Sequence, residues 1–291
     1  MKTFFRKINK SKFLKQINYH VKASLKEDIG SGDLSSILIK NNINGEAIIL
    51  SKEKAIFCGK PWIDEIIKIY NKYCSIDWFV QDGDLIKPGQ LICKINGKYS
   101  LLLSIERTCL NYIQLLSGTS TFTKKICDIV NSNGLIFDTR KTIPGLRIAQ
   151  KYAVKIGGGN NQRHGLYDEI LIKENHIKAN NSLEELLKKL KDKKLIKKIQ
   201  VEVENNEQLQ ICLDFGIKNI LLDNFTIQAI KEAVKINKGR GILEISGNIN
   251  EKNIKQISKL GVDRISVGAL TKNIKSIDFS MLIQQVKPQN T

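Results

Sequence analysis

The sequence predicts an α/β chain in two parts: a small α+β domain, then a barrel or part-barrel in which parallel strands alternate with helices. Three observations carry this. The first part holds short alternating stretches separated by turn chemistry. From Leu135 onward, short apolar strands and helical stretches take turns, the order that parallel strands with helical crossovers produce. In that second part the strands end in polar or glycine-rich residues, where a β/α barrel carries its chemistry.

In chain order, residues from about 12 to 28 read as an amphipathic helix ending at the turn-rich Gly30-Ser31-Gly32-Asp33. Alternating or β-branched stretches follow near 45–57, 76–80, 91–95 and 99–104, with a helix near 61–72 among them. Asp82-Gly83-Asp84 and Lys87-Pro88-Gly89-Gln90 are turns between short strands. A long helix is expected over 105–131. Beyond it, strands are expected at 135–138, 169–172, 200–204, 219–222, 241–245 and 264–267, with helices near 146–156, 183–193, 206–215, 226–237 and 250–259. So compact a repeat suits a barrel or part-barrel better than a flat dinucleotide-binding sheet. No GxGxxG follows the first of these strands, and no GxxxxGK[ST] occurs. The expected domains are 1–115 and 116–274, with the tail from about 275 to 291 packing back on the first.

Composition narrows the class. Hydrophobic residues at 42% and charged residues at 26% are ordinary for a soluble globular protein. No apolar run approaches the roughly 18 residues that span a bilayer. The basic start, Met1 to Lys15, has Phe4, Phe5, Phe13 and Leu14 split by charges, unlike the apolar core of a secretion signal, so a cytoplasmic location is expected. Six cysteines without a CxxC pair read as buried apolar residues, not as a metal site or a disulfide framework. The net charge of +18 raises nucleic acid as a partner. Most of it, however, is lysine scattered on helix faces, such as Lys188, Lys189, Lys191, Lys193 and Lys194, in a chain rich in Ile and Asn. Aromatics at 7% sit mainly in apolar stretches, so stacking platforms for RNA are missing. Neither nucleic acid nor membrane is expected as a partner.

Against that lysine background the seven arginines stand out. Arginine persists where a planar fork must grip a carboxylate or phosphate. Three of the seven, Arg107, Arg140 and Arg147, fall in segments quoted below. At the predicted strand ends stand Asp138-Thr139-Arg140-Lys141, Lys173-Glu174-Asn175-His176, Asp223-Asn224, Ser246-Gly247-Asn248 and Gly268-Ala269, with Glu202 and Glu204 two apart on one face of a strand. One charged strand end would mean little; six in succession are hard to explain as surface decoration.

At these residues the sequence resembles the quinolinate phosphoribosyltransferases, also called nicotinate-nucleotide pyrophosphorylases (carboxylating). The matching segments are 27–33 (EDIGSGD), 106–108 (ERT), 138–147 (DTRKTIPGLR), 157–159 (GGG), 171–176 (LIKENH), 201–205 (VEVEN), 222–224 (LDN) and 266–270 (SVGAL). They stand in family order over about residues 20–280, and the run from Asp138 to His176 is the most specific. The resemblance implies an N-terminal α/β sandwich domain and an open or incomplete α/β barrel of the type II phosphoribosyltransferase kind. It also implies a homodimer in which Arg107 reaches the other subunit's site. The implied reaction joins quinolinate to phosphoribosyl pyrophosphate with magnesium, giving nicotinate mononucleotide, pyrophosphate and carbon dioxide on the route to NAD.

The residues suit that chemistry. Quinolinate is a dianion beside a ring nitrogen and calls for several fixed cations, which Arg107, Arg140, Arg163 and Lys173 supply. Thr139 and Gln162 are expected beside them against substrate. Lys141 and magnesium would stabilise charge on departing pyrophosphate. Glu202 and Asp223 are the expected magnesium ligands, and with Lys141 and Lys173 the expected catalytic set. The 5′-phosphate is expected at Ser246-Gly247-Asn248 and Ser266-Val267-Gly268, small residues each expected just before a helix. No protein nucleophile is required.

Two positions depart from the family pattern. Gln162 stands where histidine usually precedes the arginine, and an amide donates a hydrogen bond but carries no charge. Asn248 replaces a usual glycine. Several motifs also have plainer readings. Gly157-Gly158-Gly159 reads as a site-forming loop before a flexible helix end, and Glu106 as orienting Arg107 or capping a helix. His176 and Glu204 remain open between site and scaffold. The 27–33 segment reads as a structural turn, and Arg147 as lying behind the site. The rival functions are a paralogous phosphoribosyltransferase for another base, which needs fewer cations, and a degenerate, non-catalytic binding protein, toward which only Gln162 points.

Overall fold

Helix α1 (Lys10–Ile29) begins where Asn9 accepts the Ser11 N–H on its side chain, and it turns Phe13, Ile17, Val21 and Leu25, four residues apart, into the core. The computed structural model describes residues 9–40, 43–131, 135–192, 196 and 199–286. Arg6, Phe4, Phe5, Lys193, Lys194 and the last five residues of the expected tail lie outside the described residues. The chain divides into two compact units, 1–124 with 143–157 and 273–291, and 125–142 with 158–272.

In the first unit, β1 (Asn44–Ser51) is flanked by β5 (Leu91–Lys98) and, from the other end of the chain, by β12 (Phe279–Gln285), both antiparallel. Adding β3 (Cys74–Trp78) gives the order β12-β1-β5-β3. Ala47 and Ile49 on β1 alternate inward, as a half-buried strand requires. Helix α2 (Lys60–Ile69) lacks a cap of its own; instead the Asp82 carboxylate accepts the Gly59 and Lys60 N–H groups at 2.9 and 3.0 Å. The other Asp82 oxygen accepts from the Tyr152 hydroxyl at 2.7 Å, tying in α4 (Arg147–Ile156). Burial pushes the Asp82 carboxyl up, and these bonds hold it partly down.

The stretch 99–104, expected as a strand, is the start of α3 (Tyr99–Val130). Its Leu-Leu-Leu run looks continuous, but the buried positions Leu102, Ile105, Cys109, Tyr112, Ile113 and Leu116 keep a spacing of three and four. The expected 45–57 strand is interrupted: after β1, the Ser51 hydroxyl bonds the Glu53 carbonyl, and β2 (Ala55–Ile56) pairs separately with β4 (Leu85–Ile86). A 3-10 turn at Leu34–Leu38 and strand β12 were not foreseen. All six cysteines are buried and free, and burial lifts the Cys93 and Cys212 thiols to about 12.

The second unit is a sheet of six parallel strands in the order β6-β11-β10-β9-β8-β7. They are β6 (Ile136–Phe137), β7 (Ile170–Ile172), β8 (Ile199–Val203), β9 (Asn219–Asp223), β10 (Ile242–Ser246) and β11 (Arg264–Ser266). Between them lie α5 (Glu174–Lys178), α6 (Leu183–Asp192), α7 (Asn206–Asp214), α8 (Ile227–Asn237) and α9 (Ile254–Ile257), with α10 (Ala269–Lys272) last. The named strands pair continuously from β6 to β7; past β6 a single parallel bridge, Phe137 with Asn160, follows, and among the described residues no strand joins β6 to β7, so the sheet is open, as an incomplete barrel must be. Val201, Val203, Ile220, Leu222, Leu243 and Ile245 alternate on one face and are buried. The residues alternating with them, Gln200, Glu202, Leu221, Asp223, Glu244 and Ser246, form the opposite face, polar except at Leu221. Helix 250–259 shrinks to the four residues of α9, because the side chains of Asn250 and Asn253 hold the preceding backbone in side-chain-bonded turns.

Candidate active site

Six strand ends of the second unit carry the sequence-predicted residues. Asp138, just past β6, is fully buried and organises its neighbourhood: it accepts the Gln162 N–H at 2.9 Å and the Asn161 side-chain amide at 2.6 Å. Its own N–H donates to the Asn160 carbonyl at 3.0 Å, which lays the loop carrying Gln162 and Arg163 along β6. Thr139 accepts the Lys141 N–H at 3.1 Å, and Thr271 donates to the Lys141 carbonyl at 2.7 Å. Lys141 Cδ lies 3.1 Å from where a β-carbon on Gly268 would stand, so this glycine leaves room for the lysine stem. Thr139, Lys141 and Ser266-Val267-Gly268 are thereby brought together.

Arg163 is almost wholly buried and donates to the Glu169 carbonyl at 3.0 Å. Burial first, and then the neighbouring Arg140 charge, pull its guanidinium below the ordinary value, while Glu169, Glu202 and Asp168 oppose the shift. Two guanidinium groups held close enough to repel each other mark a place built for anions. Lys173, following β7, donates from its ammonium to Glu202 at 2.6 Å. The Lys173 N–H is accepted by His176 Nδ1 at 3.1 Å, so His176 serves as a cap at the start of α5.

Asp223 ends β9, level with Ser246 on β10, and accepts from the Asn224 side chain at 2.8 Å. Gly247 has φ +95°, and a β-carbon there would stand 2.2 Å from Asn224 Oδ1. Asn248 adopts φ 51°, the left-handed conformation that a glycine would also supply, and its carbonyl accepts from the side chains of Asn250 and Asn253. The helices expected directly after these two loops are single turns, α9 beginning only at Ile254 and α10 at Ala269. Backbone groups of the loops themselves are therefore the donors on offer.

Other predicted residues lie elsewhere. Arg107 belongs to the first unit, on α3, with 58% of its side chain exposed and Glu106 at 4.0 Å. Arg147 opens α4, also in the first unit. Glu204 is exposed beyond β8. Gly157 caps α4, and a β-carbon there would stand 2.4 Å from the Ser120 carbonyl, a packing role that the sequence reading had not weighed. Glu244 was missed. It is buried and contacts Gln162, Gln200, Ser266 and Arg264. The signal was present as one acid inside an Ile-Leu-Glu-Ile strand, two residues before Ser246 on the same face.

An open parallel sheet whose strand ends gather paired arginines, lysines and two carboxylates defines an enzyme for anionic substrates. Residues 33–117 match the family described as Quinolinate phosphoribosyl transferase, N-terminal domain, and residues 119–282 match its C-terminal domain. The chain is 39% identical over 257 residues to a probable nicotinate-nucleotide pyrophosphorylase [carboxylating] of Bacillus subtilis, covering 88% of this chain and 89% of that one. It is 34% identical over 284 residues to a mitochondrial quinolinate phosphoribosyltransferase [decarboxylating] of Nicotiana tabacum, covering 90% and 81%. The solved nicotinate-nucleotide pyrophosphorylase of Francisella tularensis superposes with a TM-score of 0.88 at 40% identity, covering 93% of this chain and 97% of that one. The chain belongs to the quinolinate phosphoribosyltransferase family and is a phosphoribosyltransferase.

Proposed function

We infer that the chain transfers the phosphoribosyl group of phosphoribosyl pyrophosphate to quinolinate with loss of carbon dioxide, giving nicotinate mononucleotide for NAD biosynthesis. The observation that carries this reading is the cation cluster of Arg163, Arg140 and Lys173 around Glu202, a charge set suited to a pyridine dicarboxylate. The ring nitrogen attacks C1 of the ribose, and the C1–O bond breaks with its electron pair leaving on pyrophosphate. The carboxylate next to the ring nitrogen then departs as carbon dioxide. Its bonding pair stays on the ring carbon, stabilised by the adjacent pyridinium, and takes up a proton.

Arg140, Arg163 and Lys173 hold the dicarboxylate, and Thr139 and Gln162 flank it. Lys141 meets the charge that develops on pyrophosphate. Ser246-Gly247-Asn248 and Ser266-Val267-Gly268 receive the 5′-phosphate. Among the described residues no three His, Cys, Asp or Glu side chains cluster as a metal site. Glu202 and Asp223, on adjacent strands, suit instead a magnesium ion that completes its shell with substrate oxygens and neutralises phosphate charge. The working form is a homodimer with Arg107 of one subunit in the other's site, a reading supported by the exposure of Arg107 and of Leu34, Ile37 and Leu38 at 83%, 80% and 85%. Catalysis takes place in the cytoplasm, and no described helix is long and apolar enough to cross a membrane.

The test is nicotinate mononucleotide formation from quinolinate, phosphoribosyl pyrophosphate and magnesium, with nicotinate as parallel substrate. Product from quinolinate alone is expected. Product from nicotinate instead would move the chain to another base, and none from either, with folded protein, would end the catalytic reading.

A further inference from the structure

The polar face of the parallel sheet carries one carboxylate that this chemistry leaves without a task. Glu244, at the middle of β10, is fully buried, and both of its oxygens are engaged. Oε1 accepts from Ser266 Oγ at 2.5 Å and from Gln162 Nε2. Oε2 accepts from Gln200 Nε2 at 2.9 Å and lies 4.0 Å from Arg264 Nη1. A carboxylate withdrawn from water persists only where donors and opposite charge compensate it. Here the compensating groups come from the loop before β7, from β8 and from β11, so Glu244 ties three separate segments to one point.

Two of the four partners are residues read above as facing substrate. A primary amide has a donor end and an acceptor end, whereas a carboxylate only accepts. Glu244 therefore fixes which end of Gln162 points inward, leaving the amide oxygen 3.3 Å from the Arg163 N–H. On the other side, Ser266 anchors the root of the loop in which Gly268 makes room for Lys141.

We propose that Glu244 is a positioning residue: it sets the rotamer and amide orientation of Gln162 against the pyridine dicarboxylate and anchors the Ser266–Gly268 loop from beneath. The proposal rests on the reading that Gln162 and this loop contact substrate. A merely structural carboxylate would change thermal stability and leave the kinetic constants alone. A positioning carboxylate changes substrate KM, and changes that for quinolinate through one identifiable neighbour, Gln162.

The experiment is a double-mutant cycle of Glu244→Gln and Gln162→Ala, reading KM for quinolinate, KM for phosphoribosyl pyrophosphate, kcat and Tm. Glu244→Gln is expected to raise KM for quinolinate about tenfold, the order of one charge-assisted hydrogen bond, with a smaller change in kcat. Placed on Gln162→Ala, it is expected to add no further rise in that KM. The proposal is overturned if the two effects multiply in full, or if Glu244→Gln lowers Tm and leaves both KM values unchanged. If Gln162→Ala itself leaves KM for quinolinate unchanged, the reading of Gln162 as a substrate contact fails, and this role fails with it. A raised KM in Gln162→Ala beside an inert Glu244→Gln rejects the positioning role alone. Should Glu244→Gln fail to fold, Glu244→Asp keeps the charge and withdraws the oxygens by one methylene. The same rise in KM is then expected, and its absence overturns the proposal.

Discussion

Lys173 and Glu202 meet at 2.6 Å, with the glutamate the more buried of the two. Removing the lysine takes a cation from the proposed dicarboxylate site and also uncovers a carboxylate that repels it. Lys173→Ala is expected to lower kcat/KM for quinolinate by about 100-fold or more, comparable to the loss of one preorganised donor, with initial rates as the check. Gln162→His offers a second measurement at this scale. An imidazole facing Glu244 would have its pKa raised by the carboxylate. The variant should then bind quinolinate more tightly below that pKa and lose the advantage as pH rises through it. The wild-type KM should show no such step. The cations of the candidate site were legible because arginine is scarce in a lysine-rich chain and because Arg140, Lys141 and Lys173 follow strand ends. Glu244 was not, since its hydrogen-bond partners are 22, 44 and 82 residues away, and only the assembled sheet brings them together.

Elements impose their own constraints on single residues. Gly247 closes the β10 loop with a positive φ, hard against Asn224. Gly247→Ala should therefore cost about 1–2 kcal/mol of stability, visible as a lower urea midpoint, and should raise KM for phosphoribosyl pyrophosphate. In α1, His20 is buried against Trp62, whose indole N–H donates to His20 Nδ1 at 3.4 Å. Burial lowers its pKa below 6.5, against a backbone hydrogen bond at Gly145 that raises it. As pH falls below 6.5, the unfolded chain takes up a proton that the folded chain refuses, so stability is lost until the folded pKa is reached. His20→Gln should flatten that limb, as urea unfolding at successive pH values would record. Periodicity located α1, α8 and the central strands β8 to β10 well, because each has a regular apolar face. It failed at 99–104, where leucines cover several faces of a helix at once, and at 250–259, where asparagine side chains compete with the helix for backbone groups.

On the scale of the whole molecule, the proposed exchange of Arg107 between subunits can be read by mixing two inactive variants. Arg107→Ala and Lys173→Ala, each nearly inactive alone, should regain activity when unfolded together and refolded. Half of randomly paired dimers are mixed, and each holds one intact site, so roughly a quarter of wild-type activity is expected. No recovery, with the dimer confirmed by light scattering, would place Arg107 in its own subunit's site or outside any. The two-part architecture was legible from the change of texture at Leu135. What the sequence hid is that 143–157 also joins the first unit and that the tail, expected to pack back there, supplies strand β12 beside β1. On the ribosome this sets an order. The parallel sheet has all of its strands translated while the antiparallel one still waits for its seven-residue edge. Until Phe279–Gln285 emerges, β1 exposes one unpaired side, open to pairing with another nascent chain. A strand with no part in the proposed chemistry thus guards the edge of β1 while the chain is being made.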